Sequence, residues 1–475
     1  RRQRQMCIRD SPYTGAVTWD VIVVGGGPAG LMVALAAAEA GTRVIVLERM
    51  PAPARKLLAS GGGQGNLTHG GEIADFLPHY HGGDKPGEAG RFLRPALYAF
   101  SNRDLAAYCA RRGVPLVEDP DGRAFPRTRR AADVLELLLA EARTLGVAIR
   151  TGVRVQGLRA ERRGFTASAR GVSFPGRAAV LATGGRSYPS LGATGDGYAP
   201  AAALGHRIVP PGPALAPVGV GRETCGPFTG CAGVSLRGTQ VAVARGGEVL
   251  ARRRGDVLFT HGGLSGPAVL DLSRYAAPGD LLRVALVPGL DDRAAAEGRL
   301  EEEIACHGRR SVANLLSGLG VPGCVARAVA AAAGLPPATK AAELTRAARR
   351  ELAASLAGHP FPVASLGGWD KAMVTRGGVA LDEVDPKTLE SRRVPGLFFA
   401  GEVLDVDGET GGYNLQAALS TGYLAGLSAA RRALGRRAHP GWKAAAHPGP
   451  RPAREPDPNP RHGPHPKPGR SPRTG

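Results

Sequence analysis

The stretch Asp20 to Glu48, DVIVVGGGPAGLMVALAAAEAGTRVIVLE, decides the fold. The β-branched run Val21 to Val24 is the pattern of a short buried strand. It breaks into Gly25-Gly26-Gly27-Pro28-Ala29-Gly30, and the Ala/Leu-rich segment to Ala40 is a strong helix former. Gly41 stops that helix, and Arg43 to Leu47 makes a second strand that ends in Glu48. Strand, G-x-G-x-x-G, helix, strand, acid is the dinucleotide-binding βαβ unit. Gly25 permits the tight turn off the strand. Gly27 removes a side chain so that backbone N–H groups reach a pyrophosphate, and Gly30 lets the helix pack close to the sheet. Pro28 and Ala29 open the helix, whose N-terminus turns its partial positive charge to the phosphates. Glu48, 18 residues past Gly30, is placed to accept hydrogen bonds from ribose hydroxyls. A membrane span or signal peptide fits this stretch poorly, because Val21 to Ala38 holds four Gly and a Pro and no cleavage pattern follows.

The chain has 475 residues, enough for two or three domains, and 43% hydrophobic residues can fill sizeable cores. A net charge of +20 raises nucleic acid or an anionic membrane as a partner. More than half of that excess falls near the ends: residues 1–19 carry +3, residues 440–475 carry +5, and Arg431, Arg432, Arg436 and Arg437 add four charges. No basic stripe interleaved with aromatics accompanies it, so a small-molecule substrate is expected and stable nucleic-acid binding is not. The six Cys include no C-x-x-C pair, and Cys225 and Cys231 read as two small thiols in a reducing cytosol rather than a redox couple. His69, His79 and His81 lack acidic companions at ligand spacing, and no metal site is expected. With no secretory signal and no membrane span, the expected location is cytoplasmic; nothing in the sequence fixes the oligomeric state.

Residues 1–18 read as a disordered or non-native extension. After Glu48 the segment Arg55-Lys56-Leu57-Leu58-Ala59-Ser60-Gly61-Gly62-Gly63-Gln64-Gly65-Asn66-Leu67-Thr68 is a loop whose glycines let backbone reach a ligand. Ser60 and Asn66 can supply hydrogen bonds, and Arg55 and Lys56 can approach phosphate. Helices are expected near 94–112 and 131–145, with a hairpin or loop at 118–127 between them. The apolar run AAVLATGG returns the chain to the first sheet and ends in Thr183-Gly184-Gly185. From 206 to 288 short alternating segments with many Gly and Pro predict an antiparallel barrel or sandwich. Residues 291–358 have helical spacing. A buried strand ending in Ala400-Gly401-Glu402, then Gly411-Gly412-Tyr413-Asn414-Leu415-Gln416 opening an apolar helix, make a second strand–glycine–helix element. Beyond 436 the Pro/Arg-rich composition predicts disorder.

Four motifs resemble one family: DVIVVGGGPAGL, RKLLASGGGQGNLTH, FTHGGLSGPA and GLFFAGEVLDVDGETGGYNLQ. The chain is similar, over about 20–430, to the NAD(P)/FAD-dependent, aminoacetone-oxidase-like oxidoreductases, which include the bile-acid-inducible flavoproteins of gut bacteria. The expected fold class is α/β: a Rossmann-like FAD-binding domain (19–205 and 361–435) interrupted by an inserted antiparallel β-barrel (206–290) and a small helical subdomain (291–360), followed by a tail from 436 to 475. The resemblance implies that Gly25 to Gly30 bind the FAD pyrophosphate and Glu48 the adenosine ribose. It implies that Gly401 and Glu402 meet the ribityl-phosphate region, and that Gly412, Tyr413, Asn414 and Leu415 approach the isoalloxazine, with the helix N-terminus favouring reduced, anionic flavin. Arg55, Lys56, Ser60, Gly61, Gly62, Asn66, Thr183 and Gly184 complete the expected cofactor contacts. The family carries Arg-Cys before the Asn of the second motif; here Gln64 and Gly65 stand there, so a reactive Cys is missing.

The implied reaction is hydride transfer between flavin and a small organic substrate, with NAD(P)H, where it is the reductant, docking transiently. His261 is the candidate proton-handling residue because it sits in a Gly-rich motif of the inserted domain, although a structural histidine fits equally well. Tyr413 is a second candidate, with packing its first expectation. A macromolecule-modifying FAD enzyme acting on RNA and a non-catalytic flavin redox sensor are the alternative classes. A disulfide reductase is disfavoured, since neither paired Cys nor a second nucleotide fingerprint is present.

Overall fold

A computed structural model describes residues 18–221 and 226–435. The N-terminal extension, Cys225 and the Pro/Arg-rich tail lie outside the described residues, and so do the expectations attached to them.

The strand Trp19–Val24 is the centre of a 7-stranded sheet. It pairs in parallel with Val44–Leu47 on one side (Val21 opposite Val44) and with the long strand Val172–Leu181 on the other (Val21 opposite Ala178). Val44–Leu47 continues in parallel to Ala148–Arg150. Val172–Leu181 forks the sheet. Its first half pairs antiparallel with Gly164–Ala169, and Ala179 to Leu181 pair in parallel with Leu397–Phe399. Strands covered on both faces read as unbroken apolar runs, and here VIVV, VIVL and AAVL are all buried.

The helix Pro28–Glu39 lies across this sheet, and the closing helix Tyr413–Ala433 packs on it. Gly422 and Gly426 make that approach possible. A Cβ at Gly422 would lie 2.5 Å from Ala29 O, and one at Gly426 would lie 2.4 Å from Val33 O. The expected helix near 94–112 is two helices, Glu88–Ala99 and Asn102–Arg111. Ser101 divides them as an N-cap, its hydroxyl accepting from Asp104 N.

The antiparallel region is a closed six-stranded barrel in the order Val218–Val220, Gly263–Ser265, Glu248–Thr260, Ser235–Arg245, Leu281–Val284, His359–Leu366. The last strand lies beyond the expected end of the β region and past the expected return of the FAD-binding half at 361. Pro360 and Pro362 hide it from a propensity reading, since proline cannot donate to a strand ladder. The helices between Arg293 and Gly358 are thus inserted within the barrel, between its fifth and sixth strands. They share a continuous apolar core with it: Phe228, Val241, Phe259 and Phe361 from the barrel side join Leu300, Leu316, Val329 and Leu352 from the helices. A second core, built on Val21 to Val24, Ala178 to Leu181 and Leu397 to Phe399, fills the Rossmann half. Among the described residues no helix is long and apolar enough to cross a membrane.

Candidate functional site

A cavity of about 710 Å³ runs between the Rossmann half and the barrel. Every residue expected to touch the cofactor lines it, except Gly26, Gly30 and Tyr413. Gly25, Gly27, Pro28 and Ala29 form one end with Glu48; Arg55, Lys56, Ser60, Gly61, Gly62 and Asn66 form one wall. Thr183, Gly184, Gly401, Glu402, Gly412, Asn414 and Leu415 also line it, as do Asp256, Pro267 and Leu270 of the barrel.

The glycine turn has the geometry its spacing predicts. Gly25 has φ +107°, and a Cβ there would lie 2.4 Å from Ala182 O. A Cβ at Gly30 would lie 1.9 Å from Gly25 O, so Gly30 serves packing and lies behind the cavity wall. Gly27 has nothing within 4 Å of where its Cβ would be, which leaves open space in front of the helix. No side chain caps that helix, so its first N–H groups are free to meet an anion. Glu48 is fixed by two backbone donors, Gly26 N and Met50 N, each 2.7 Å from a carboxylate oxygen. An uncapped helix start, a side-chain-free approach and an anchored carboxylate suit the pyrophosphate and ribose of a dinucleotide, so the residues present fit FAD.

Lys56 is not left free for phosphate. Its Nζ donates to Ser187 Oγ (2.6 Å) and to Glu402 Oε2 (2.7 Å). Thr375 N donates to Glu402 Oε1 (2.7 Å). Glu402 faces a pocket suited to an anionic cofactor, and the paired ammonium offsets its charge. Arg55 Nη1 donates to Ser190 O (3.3 Å).

At the closing helix, the Asn66 amide donates to Thr68 O (3.2 Å) and accepts from Gly412 N (3.1 Å) in the orientation that satisfies both groups. Asn414 folds back on the preceding turn, accepting from Gly408 N (2.8 Å) and donating to Gly408 O (2.7 Å). Both asparagines therefore shape the helix start, and the N–H of Gly412 is already taken.

The two expected catalytic residues are not where chemistry would need them. His261 and Gly262 are the exposed pair of a tight turn, because Thr260 pairs directly with Gly263 in the barrel ladder. His261 is exposed and does not line the cavity. His261→Ala is expected to leave flavin content and turnover unchanged and to shift stability by no more than about 0.5 kcal/mol. A loss of flavin reduction in that variant would reinstate the histidine. Tyr413 is packed, as first expected. It stacks between His79 (centroids 4.4 Å, 15°) and His69 (5.1 Å, 12°), with Phe76 against its edge. Burial pushes its phenol up to about 12, with the Asp271 and Asp75 charges adding to the effect, so it stays protonated.

The sequence reading missed a charged seam between barrel and Rossmann half. Glu409, on the cavity wall and nearly buried, accepts from His79 Nδ1 (2.6 Å) and lies 3.2 Å from His81 Nε2. It also pairs with Arg253 of the barrel. Asp271, on the barrel helix Pro267–Leu272, accepts from Thr410 N (2.7 Å) and Thr410 Oγ1 (3.2 Å). Arg274 pairs with buried Asp407. Burial pushes the His79 and His81 imidazoles down, helped by Arg253 and, at His81, more strongly by Arg274; His81 falls to about 3. His79 and His81 do have an acidic companion, but it lies about 330 residues downstream and no local spacing reveals it.

Fold and cavity together define an FAD-binding protein of the Rossmann oxidoreductase class. The sequence profile described as the HI0933-like protein Rossmann domain matches residues 19–428, and the chain belongs to that family. It is similar to a 3-dehydro-bile acid delta(4,6)-reductase of Clostridium scindens, 35% identical over 418 residues, covering 86% of this chain and 98% of the relative. It is also similar to a ribosomal RNA dihydrouridine synthase of Escherichia coli, 31% identical over 409 residues, covering 85% and 96%. Among solved structures it resembles a 3-ketosteroid-delta4-(5alpha)-dehydrogenase from Rhodococcus jostii RHA1, with 20% identity, coverage of 88% and 99%, and a TM-score of 0.40.

Proposed function

We propose that this chain is an FAD-dependent reductase that saturates a carbon–carbon double bond conjugated to a carbonyl, with electrons drawn from transiently docked NAD(P)H. The observation that carries this reading is the single cavity in which four separate sequence motifs meet and which residues of both the Rossmann half and the barrel line. Gly25, Gly27, Pro28 and Ala29 hold the pyrophosphate, with Gly30 behind them, and Glu48 holds the adenosine ribose. Arg55, Ser60, Gly61, Gly62, Thr183 and Gly184 line the path of the cofactor. Gly401 and the Lys56-neutralised Glu402 face its ribityl phosphate, and Gly412 to Leu415 sit by the ring system. FAD, when bound, supplies hydride. The protein's part is to bind, to keep water from the reacting carbon and to place a proton.

The names of two relatives support the reaction class. One joins a 3-keto group to Δ4,6 double bonds; the other denotes reduction of a uracil ring, whose double bond also stands beside a carbonyl. A small enone is the first substrate class. A uridine in RNA is the second, favoured by Arg252 and Arg254 exposed on the barrel strand. We place the protein in the cytoplasm, in keeping with the free thiols of Cys109, Cys306 and Cys324.

The test begins with the FAD-reconstituted protein, reduced anaerobically with NADH or NADPH and then mixed with a 3-oxo-Δ4 steroid or with uridine-containing ribosomal RNA. Bleaching by nicotinamide and recovery on the steroid is the expected result. Recovery only on RNA, with binding that weakens steeply as salt rises, selects the second substrate class. Failure to take up FAD sinks the reading.

A further inference from the structure

Saturating an enone takes a hydride at one carbon and a proton at its neighbour, and the proton is the protein's to provide. We infer that His69 supplies it, through Nε2, as the catalytic acid of this site. The inference rests on the reductase reading above and adds the residue that completes it.

Among the described residues, His69 is the one histidine on the cavity wall. His79 and His81 are committed to Glu409, and His261 is exposed and off the cavity wall. The His69 ring is held in one orientation by independent contacts. Its Nδ1 lies 3.1 Å from Gly70 O. A carbonyl oxygen only accepts, so Nδ1 carries hydrogen in the neutral ring and Nε2 is the nitrogen that takes up and releases a proton. One face stacks on Tyr413, whose opposite face is closed by His79. Gly122 leaves the space the ring occupies: a Cβ there would lie 2.1 Å from His69 Cε1. On the other side, a Cβ at Gly411 would come within 3.4 Å of His69 Cδ2, which sets the ring against the start of the closing helix. The backbone is pinned as well, since Asn102 Nδ2 donates to His69 O (2.9 Å). Positioned, half-buried and on the cavity wall, with Nε2 beside Gly122, which has no side chain to cover it, this imidazole has what a general acid needs.

The step balances with no further reactant. Hydride adds to the alkene carbon remote from the carbonyl, and the alkene electron pair moves to give an enolate. The Nε2–H bond of the His69 imidazolium breaks, its electron pair stays on the ring, and the new C–H bond forms at the carbon beside the carbonyl. Water then reprotonates Nε2. The charged or titratable groups around the ring are Arg123, its partner in the strand register, with Tyr413, Glu409, His79 behind Tyr413, and Glu118 beside Gly70.

The test compares wild type with His69→Gln and His69→Asn. The first readout needs no cofactor. In ¹⁵N-histidine spectra of the apoprotein, the resonance missing from both variants is expected to show Nδ1 as the nitrogen that carries hydrogen in the neutral ring. A His69 signal with the hydrogen on Nε2 instead overturns the inference. The second readout is the split between half-reactions. Both variants are expected to bind FAD and to be reduced like wild type, yet to lose about 100-fold in the rate at which a 3-oxo-Δ4 steroid or RNA uridine reoxidises the flavin. Reoxidation at the wild-type rate overturns the role of His69 and leaves the reductase reading standing. A wild-type protein that no enone reoxidises overturns both. If neither variant holds FAD, the tautomer in the apoprotein decides.

Discussion

Gly27→Ala is expected to fold as wild type does and to lose FAD, whereas Gly30→Ala is expected to damage the fold itself. Both glycines belong to one six-residue turn, and the structure separates what each is for. Gly27 has φ −74° and ψ −178°, a conformation open to any residue, and its missing Cβ faces empty space. An alanine there clashes with nothing in the protein, but its methyl group enters the approach to the uncapped helix start. The apoprotein should melt at the wild-type temperature, while FAD affinity drops by at least about tenfold, or about 1.4 kcal/mol. At Gly30 the added carbon would stand 1.9 Å from Gly25 O, and the backbone on both sides is held by the parallel sheet and the helix. Relief requires moving the helix off the strand, at a cost of roughly 1–3 kcal/mol or more. Melting curves of the apoproteins and FAD titrations give both quantities. Equal loss of stability in the two variants would refute the division of labour between them.

That division was legible in the sequence because it is local. A tight turn, a close approach and a helix start within six residues each demand glycine for a reason that depends only on neighbours in the chain. The four cofactor motifs were legible for the same reason, and the cavity gathers them. What the sequence did not disclose is pairing over distance. Glu409 meets His79 across 330 residues, and Asp271 meets Thr410 across 139. No spacing rule reaches that far, so His79 and His81 read as unsupported and the Gly-rich surroundings of His261 drew attention to a histidine that does not line the cavity. His69 was set aside as a metal ligand without being weighed as an acid, because only the fold places it on the cavity wall. The barrel strand His359–Leu366 was hidden for another reason: its prolines mask local propensity, while closure of the barrel demands a sixth strand there.

Arg274→Ala is expected to destabilise the protein by about 3–5 kcal/mol at alkaline pH, and by less in acid. Arg274 belongs to the barrel, and its guanidinium pairs with Asp407 of the Rossmann half. Asp407 is almost fully buried and one of its oxygens has no partner among the described residues, so removing the arginine strands a charge in apolar surroundings. Burial already pushes the Asp407 carboxyl up, with Arg274 pulling against it. Without that counter-charge its native titration moves higher still, while the unfolded carboxyl keeps its ordinary value. Between those two points the native state holds a proton that the unfolded state has released, so stability falls as pH rises through the window. Asp271 adds the same sign in wild type: burial raises it to about 6 against the opposing bonds from Thr410, and its stabilising protonated form is lost as pH climbs from about 4 through about 6. The difference in melting temperature between wild type and Arg274→Ala should therefore be small near pH 5 and large near pH 8. Arg274→Leu combined with Asp407→Asn, which removes both charges, should recover much of the loss. A melting difference that stays constant from pH 5 to pH 8 would mean that Asp407 does not feel this arginine. The seam between barrel and Rossmann half would then be held by apolar packing, leaving the Arg253–Glu409 and Asp271–Thr410 contacts to orient the cavity wall without carrying its stability.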